Sequence, residues 1–285
     1  MLLRFSRAFP VFFVLLWSTG FIGARMGLPH APPLYFLLLR YVLVIACMVA
    51  VAGVTRAPWP QTPQAWFHIG VAGLLLHGIY LGGVFIAISK GLPAGVTSLV
   101  VGLQPLLTAA GAGWLLGEVV LKRQWLGLLL GLMGVGLVVM NKVGSGFALQ
   151  ALVPAVVALL GITAGTLYQK RFCPRFDWRT GAVAQFLPTA LLTWLVASFT
   201  ETYNVQWTGE FVFALGWLVL VLSLGAVSLL NWLIRNSGAV NIASLFYLVP
   251  PCTAVVAWLL FGETFSSTAL IGMAMAVWGV YLARK

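Results

Sequence analysis

The chain is short of charge, and of acid above all. It holds 285 residues with 5 acidic and 16 basic side chains, so about 7% are charged, against roughly 25% in a soluble globular domain. A surface so poor in charge cannot be kept in water, which excludes a soluble enzyme or binding domain. Cysteine is equally scarce. Cys47, Cys173 and Cys252 are too few and too scattered for a disulfide framework, and no histidine clusters with them to hold a metal. They read as small apolar fillers. Catalytic signatures are missing as well: no HExxH, no GxSxG, no glycine-rich nucleotide loop and no Walker motif, which argues against an enzyme and against ATP as a direct energy source. No acidic pair lies at depth, and His77 has no acid or base beside it in sequence, so an intramembrane enzyme is disfavoured. No cofactor and no metal are expected.

What is present is apolar length. Hydrophobic residues make up 61% of the chain, arranged in runs near the roughly 20 residues that span a bilayer as helix. The runs are apolar all round and too long for the alternating strands of a membrane barrel. The pattern predicts an all-α integral membrane protein of ten helices: Ala8–Met26, Leu34–Gly53, Trp66–Ser89, Ala94–Leu116, Gln124–Met140, Leu149–Gln169, Arg179–Phe199, Glu210–Trp232, Val240–Phe261 and Thr268–Ala283. The breaks, such as "GLPHAPP", "TRAPWPQTPQ" and "RFCPRFDW", are rich in turn residues and too short for a soluble domain. Trp59, Trp66, Trp178 and Trp207 sit near them, at the depth an indole prefers. The N-terminus has a basic start and an apolar stretch, as a cleaved signal peptide would. Trp17 interrupts the cleavage region and the run continues to span length, which favours a first membrane helix.

Basic residues set the orientation. With the N-terminus in the cytoplasm, 12 of the 16 fall on the inner side, 3 (Arg25, Lys90, Lys142) on the outer side, and Arg40 within a helix. Both termini are then cytoplasmic, and the net charge of +11 is topological. Charges scattered over short loops do not make a nucleic-acid surface. Short loops and the absence of long tails fit a multi-pass protein of a bacterial inner (cell) membrane, an organelle membrane being the alternative.

The chain repeats itself. A shift of 145 residues aligns Ala94–Leu137 with Ala239–Leu282 without a gap, at 13 identities in 44 positions. The matches include Pro105/Pro250, Thr108/Thr253, Gly117/Gly262, Glu118/Glu263, Gly127/Gly272 and Gly134/Gly279. A fainter echo links "PVFFVLLWST" from Pro10 with "PAVVALLGIT" from Pro154. The shift is half the chain, so residues 1–142 and 143–285 read as two five-helix repeats. Five is odd, which inverts the second repeat relative to the first. Glu118 then lies on the cytoplasmic side and Glu263 on the outer side. Inverted repeats of this kind characterise secondary transporters.

Ten spans in two repeats, Pro105 and Pro250 within the fourth and ninth helices, and the terminal pairs Gly117-Glu118 and Gly262-Glu263 together resemble the EamA family of the drug/metabolite transporter superfamily. The resemblance covers almost the whole chain. It implies a basket in which helices one to four and six to nine enclose a central cavity, with helices five and ten at the periphery. It also implies export of small metabolites, often amino acids or related compounds.

The residues carry their own candidates. Pro105 and Pro250 fall near mid-helix, where a proline frees a carbonyl; they are expected to hinge or line the path, a packing bend being the plain alternative. Glu118 and Glu263 sit at the interfaces, where a carboxylate can face the next helix or meet Lys122; a gate is the second reading and a structural anchor the first. Gly127, Gly131 and Gly134 with Gly272, Ala276 and Gly279 form small-residue stripes suited to close packing inside the chain or to a homodimer. Arg40 is a charge in an apolar span, fit for an anion or carboxylate unless it snorkels outward. The 145-residue shift pairs it with Gln185. His77, with Tyr80 nearby, titrates near pH 6.5 when unperturbed and is the candidate for a proton as coupling ion; a plainly buried histidine is the alternative. Trp17, Arg40, His77, Gln104 and Tyr247 make up the expected substrate site. Alternating access by two rocking halves is the expected mechanism, exporting small metabolites or drug-like amphipathic molecules. A channel for neutral solutes, or a non-transporting membrane subunit, stands as the alternative.

Overall fold

A computed structural model describes residues 9–92, 94–117, 119–140, 149–173, 175–261 and 266–284. Among them every regular element is helical. The helices are α1 Phe9–Gly27, α2 Pro33–Val54, α3 Pro63–Ser89, α4 Ala94–Val101, α5 Gln104–Leu116, α6 Lys122–Met140, α7 Leu152–Phe172, α8 Trp178–Thr200, α9 Gly209–Asn236, α10 Ala239–Leu245, α11 Val249–Phe261 and α12 Ser267–Arg284. Six stretches of the described residues are long and apolar enough to cross a membrane: Phe9–His30, Pro33–Val54, Pro63–Ser89, Leu152–Phe172, Trp178–Thr200 and Gly209–Asn236. Their outward faces carry bare apolar side chains, with Val54 87% and Phe199 83% exposed. Lipid tolerates such a surface and water does not.

The ends of the helices follow from local chemistry. Thr62 and Thr208 accept the backbone N–H groups of Ala65 and Phe211, and Asp177 accepts that of Arg179, so α3, α9 and α8 start on side-chain caps. Lys170 Nζ donates to the carbonyls of Ile234 and Ser237, satisfying acceptors at the end of α9. Glu201, just beyond α8, accepts from Leu34 N and Tyr35 N at 3.0–3.2 Å; one scarce carboxylate thus caps the start of α2, at the positive end of its dipole. Gly117 closes α5 with φ +67°, a left-handed C-cap that only glycine adopts freely. Its partner Gly262 and both glutamates, Glu118 and Glu263, lie outside the described residues, as does the expected boundary between residues 142 and 143.

Three local features depart from the expected helices. Residues 94–116 are not one helix: the chain leaves α-geometry at 102–103 and restarts as α5. A 3-10 turn, Phe246–Leu248, separates α10 from α11 in the same way. Pro105 and Pro250 are each the second residue of the new segment. They are therefore not mid-helix kinks, because in a first turn the missing N–H has no partner to lose. The third departure is a π-helical stretch inside each of two long spans, Leu74–Ile79 in α3 and Leu218–Ala226 in α9. The extra residue in such a turn releases backbone groups from the regular ladder, and such turns recur at functional sites.

The two halves of the chain interleave. α2 packs on α8, α3 on α7, α1 on α9 and α11, and α6 along α12. The last pair uses the small-residue stripe, since a Cβ on Gly279 would lie 2.6 Å from Gly127 O and from Gly131 N. Internal packing thus occupies the stripe where Gly279 meets Gly127 and Gly131, as one of its two expected uses required.

Candidate functional site

Buried polar side chains gather where α1, α2, α3, α8 and α9 meet. Several threonines and serines in the spans satisfy themselves on a carbonyl four residues back, as Thr163, Thr166, Thr189 and Ser18 do, so they are part of their own helices. A second set reaches between helices. Arg40, on α2, is only 1% exposed, so it does not snorkel to either interface. Its Nε donates to Ser223 Oγ at 2.9 Å, and Ser223 Oγ donates to the carbonyl of Leu218 at 3.0 Å, five residues back in the π-helical turn. Its Nη1 is buried with no hydrogen-bond partner among the described residues. A buried guanidinium left short of an acceptor is energetically expensive and calls for an anion.

Beside it, His77 lies in the other π-helical stretch. Its ring stacks on Phe186 at 4.1 Å between centroids, and its carbonyl accepts from the Tyr41 hydroxyl at 2.7 Å. His77 Nε2 lies 3.4 Å from Gln185 Oε1; Gln185 Nε2 donates to Gln169 Oε1 at 2.8 Å, and Gln169 Nε2 donates to Asn231 Oδ1 at 2.9 Å. These four side chains form one polar line through otherwise apolar packing, Gln169 donating to Asn231 at one end and Gln185 linking Gln169 to His77 at the other. Networks of this kind hold a core rigid only when every member is satisfied.

Arg40 and His77 border a narrow cavity with Trp17, Phe21, Tyr80 and Leu222 among its walls. Trp17 and Tyr80 lie parallel, 6.2 Å apart at 7°. The space amounts to about 20 Å³, enough for about one water. One polar corner and a large aromatic wall suit an amphipathic ligand with an anionic head, and in this conformation the site is shut.

Of the five expected binding residues, Trp17, Arg40 and His77 therefore line one cavity. Gln104 and Tyr247 do not line it. Gln104 is buried with Nε2 on Thr166 Oγ1 at 3.3 Å. Tyr247 packs with Leu128 and Leu167 in a separate core cluster, its ring against Gly131. Tyr80, Ser223 and Gln169 were not among the five. Tyr80 stood three positions from His77, which was the available signal for it; Ser223 corresponds under the 145-residue shift to Gly78, which gave none. Glu118 and Glu263 cannot be placed in any site, lying outside the described residues. Among the described residues no group of histidines, cysteines and carboxylates could hold a metal.

Comparison with known proteins bears on this geometry. The model of the EamA-like transporter family matches residues 8–140 and 149–284. A relative named "Uncharacterized transporter YvbV" from Bacillus subtilis is 26% identical over 276 residues, 95% of this chain and 88% of its own. "Probable amino-acid metabolite efflux pump" from Salmonella typhimurium is 25% identical, covering 94% of this chain and 91% of its own. "Uncharacterized inner membrane transporter YedA" from Escherichia coli K12 is 25% identical, with coverages of 98% and 92%. A solved crystal structure superposes with a TM-score of 0.78 over 96% of this chain and 94% of that one, at 24% identity; that likeness concerns the fold.

Proposed function

Because the chain belongs to the EamA-like transporter family, and is thus a multi-pass membrane transporter, we infer that it exports a small metabolite bearing a carboxylate, by alternating access. The observation that carries the reading is Arg40: a guanidinium at 1% exposure, in a cavity wall, with one nitrogen unpartnered and no ion pair among the described residues. A substrate carboxylate supplies the missing acceptors, and Trp17 and Tyr80 flank its apolar part. The efflux-pump relative from Salmonella typhimurium, named for amino-acid metabolites, supports that cargo class. Ten spans in two inverted repeats supply the mechanism. Support for them comes from the offset of 145: it carries Leu74–Ile79 onto residues 219–224, inside the second π-helical stretch, and the restart at Gln104-Pro105 onto Val249-Pro250. A cavity sized for about one water must widen for any metabolite, so transport passes through conformations other than this one. In a proton-coupled cycle His77 is the group that takes the proton.

Counterflow in proteoliposomes tests the reading. Saturable exchange of labelled amino acids and related carboxylates is expected, with the esters or amides of the same compounds excluded. Ser223→Ala removes one acceptor from Arg40 and should raise KM roughly tenfold, whereas Arg40→Gln should abolish exchange while the protein keeps its thermal transition. Equal flux of neutral analogues, or full activity of Arg40→Gln, would overturn the assignment. Non-saturable flux would instead favour a channel.

A further inference from the structure

A second recess lies on the flank of the bundle, away from the central cavity. It has a volume of about 420 Å³ and is bordered by Phe9, Trp178, Leu224, Ser228, Trp232 and Arg235, from the start of α1, the start of α8 and the end of α9. All three belong to one end of the molecule. Thr180 is tied to the Pro58 carbonyl and Lys170 to those of Ile234 and Ser237, which gathers Arg56, Lys170, Arg171, Arg175, Arg179 and Arg235 at that end. The positive-inside rule places it in the cytoplasm.

The Arg235 guanidinium lies over the ring of Phe176, 4.2 Å from its centre. That ring lies flat on α8 because residue 181 is glycine; a Cβ there would fall 2.0 Å from it. The stack fixes the guanidinium plane in advance, yet Nε and Nη2 are buried with no partner among the described residues. The nearby carboxylate is Asp177, and both its oxygens are bound to Arg179, at 2.9 and 2.7 Å. Two fixed N–H donors facing one way suit a bidentate oxyanion. Apart from Ser228 the remaining walls are apolar or indole, the Phe9 and Trp232 rings meeting edge to face at 4.9 Å, and Trp178 and Trp232 are partly exposed. Indoles of this kind mark the headgroup level.

We propose that this recess binds an anionic phospholipid of the cytoplasmic leaflet, with the phosphodiester on Arg235 and an acyl chain along Leu224 and Leu229. A zwitterionic lipid offers the same phosphate with its own cation attached, so the site discriminates by charge as well as by fit. The inference does not depend on the identity of the cargo.

The test is lipid retention by the full chain. Protein reconstituted in equal phosphatidylglycerol and phosphatidylcholine, then returned to mild detergent, is weighed with its bound lipid by native mass spectrometry. The wild type should retain phosphatidylglycerol over phosphatidylcholine by roughly tenfold, the discrimination of one charge-assisted pair. Arg235→Gln should lose that preference, and Lys122→Gln, which removes an exposed charge at the same end, should keep it. Should Arg235→Gln fail to fold, Ser228→Trp fills the recess without touching the charge and should also lose it. An unchanged preference in a folded Arg235→Gln or in Ser228→Trp, or an equal loss in Lys122→Gln, overturns the site. Displacement of the lipid by millimolar inorganic phosphate or acetate would show that a free anion is the occupant, and overturns the lipid assignment.

Discussion

Gly73 and Gly82 lie on the same helix, and alanine at the two positions should move stability in opposite directions. A Cβ on Gly73 would sit 2.3 Å from the carbonyl oxygen of Gln185 and 2.5 Å from its Cα, backbone that cannot rotate aside. α3 and α8 would have to part by about 1 Å, and overpacking of that order costs about 1–3 kcal/mol. Because the obstacle is backbone, we take the upper end. Exchanging glycine for alanine inside a helix returns about 1 kcal/mol, leaving a loss of about 2 kcal/mol. A Cβ on Gly82 would meet nothing within 4 Å, so the gain of about 1 kcal/mol stands alone there. By the usual scaling for larger domains, Gly73→Ala should lower the unfolding midpoint in detergent by on the order of 5 °C, and Gly82→Ala raise it by about 2 °C. Tryptophan fluorescence reads both. The displaced residue at position 73 is Gln185, whose side chain joins Gln169 at 2.8 Å and meets His77 at 3.4 Å, so Gly73→Ala should also lose transport while Gly82→Ala keeps it. If both midpoints move together, or if Gly73→Ala transports normally, the close approach of α3 and α8 is not what holds the site.

Two further outcomes are expected. Arg179 hydrogen-bonds the Asp177 carboxyl and holds its pKa below the usual carboxylate value. A depressed folded-state pKa adds stability that is fully present above the unfolded value near pH 4 and disappears as pH falls through the folded value. Asp177→Asn still caps α8, so the two proteins should converge as the pH falls through the folded value and the wild type should gain more on raising the pH to 6; parallel curves in thermal scans would refute the pairing. For the inverted repeat, single cysteines at positions 118 and 263, in a background lacking the native three, should react with an impermeant maleimide from opposite faces of sealed vesicles, and labelling from one face would end the two-repeat reading.

The legible part of the molecule was the part set by solvent. Long apolar runs have one outcome in a bilayer, and the six long spans fall where hydropathy puts them. Arg40 was legible for the same reason, since a guanidinium in such a run must face protein or snorkel, and its 1% exposure decides for the first. Its partner was not. Ser223 is one hydroxyl in an apolar stretch, and nothing in its neighbours says that α2 crosses α9 at that height. The prolines were legible as breaks but not in kind. A proline forbids the preceding turn from continuing through it, yet kinking and restarting satisfy that condition equally, and the choice belongs to packing. Gln104 and Tyr247 were inferred from their nearness to those breaks. With a restart in place of a kink, Gln104 turns onto Thr166 and Tyr247 fits beneath Gly131. The π-helical turns had no marker, because the extra residue can be of any type.

The duplication and the site are best understood together. The features that the 145-residue offset preserves are backbone ones: a π-helical turn in α3 and α9, a helix restart before each proline, and close glycine contacts between α6 and α12. Those it does not preserve face the cavity or support it. Arg40 corresponds to Gln185, His77 to Leu222, and Gly78 to Ser223. Two faithful copies would bring two buried guanidinium groups to the centre, each desolvated and each repelling the other, at a cost of several kcal/mol per ion. Divergence at these positions leaves one cation, a neutral hydroxyl to orient it, and a neutral amide where the second charge would have stood. In the proposed alternating-access cycle, a pseudo-symmetric scaffold would rock between two faces while a single charge keeps the same ligand bound in both. The scaffold therefore tolerates conservative exchange as long as backbones still meet, whereas the site depends on the residues at which its halves differ. Exchanging the identities, with glutamine at 40 and arginine at 185, should keep one cation in the bundle and move it from α2 to α8. Since Gln185 faces His77 and Gln169, with Ser223 left to Arg40, the moved charge would lack its orienting hydroxyl, and exchange of carboxylates should stay far below wild type although net charge and composition are unchanged.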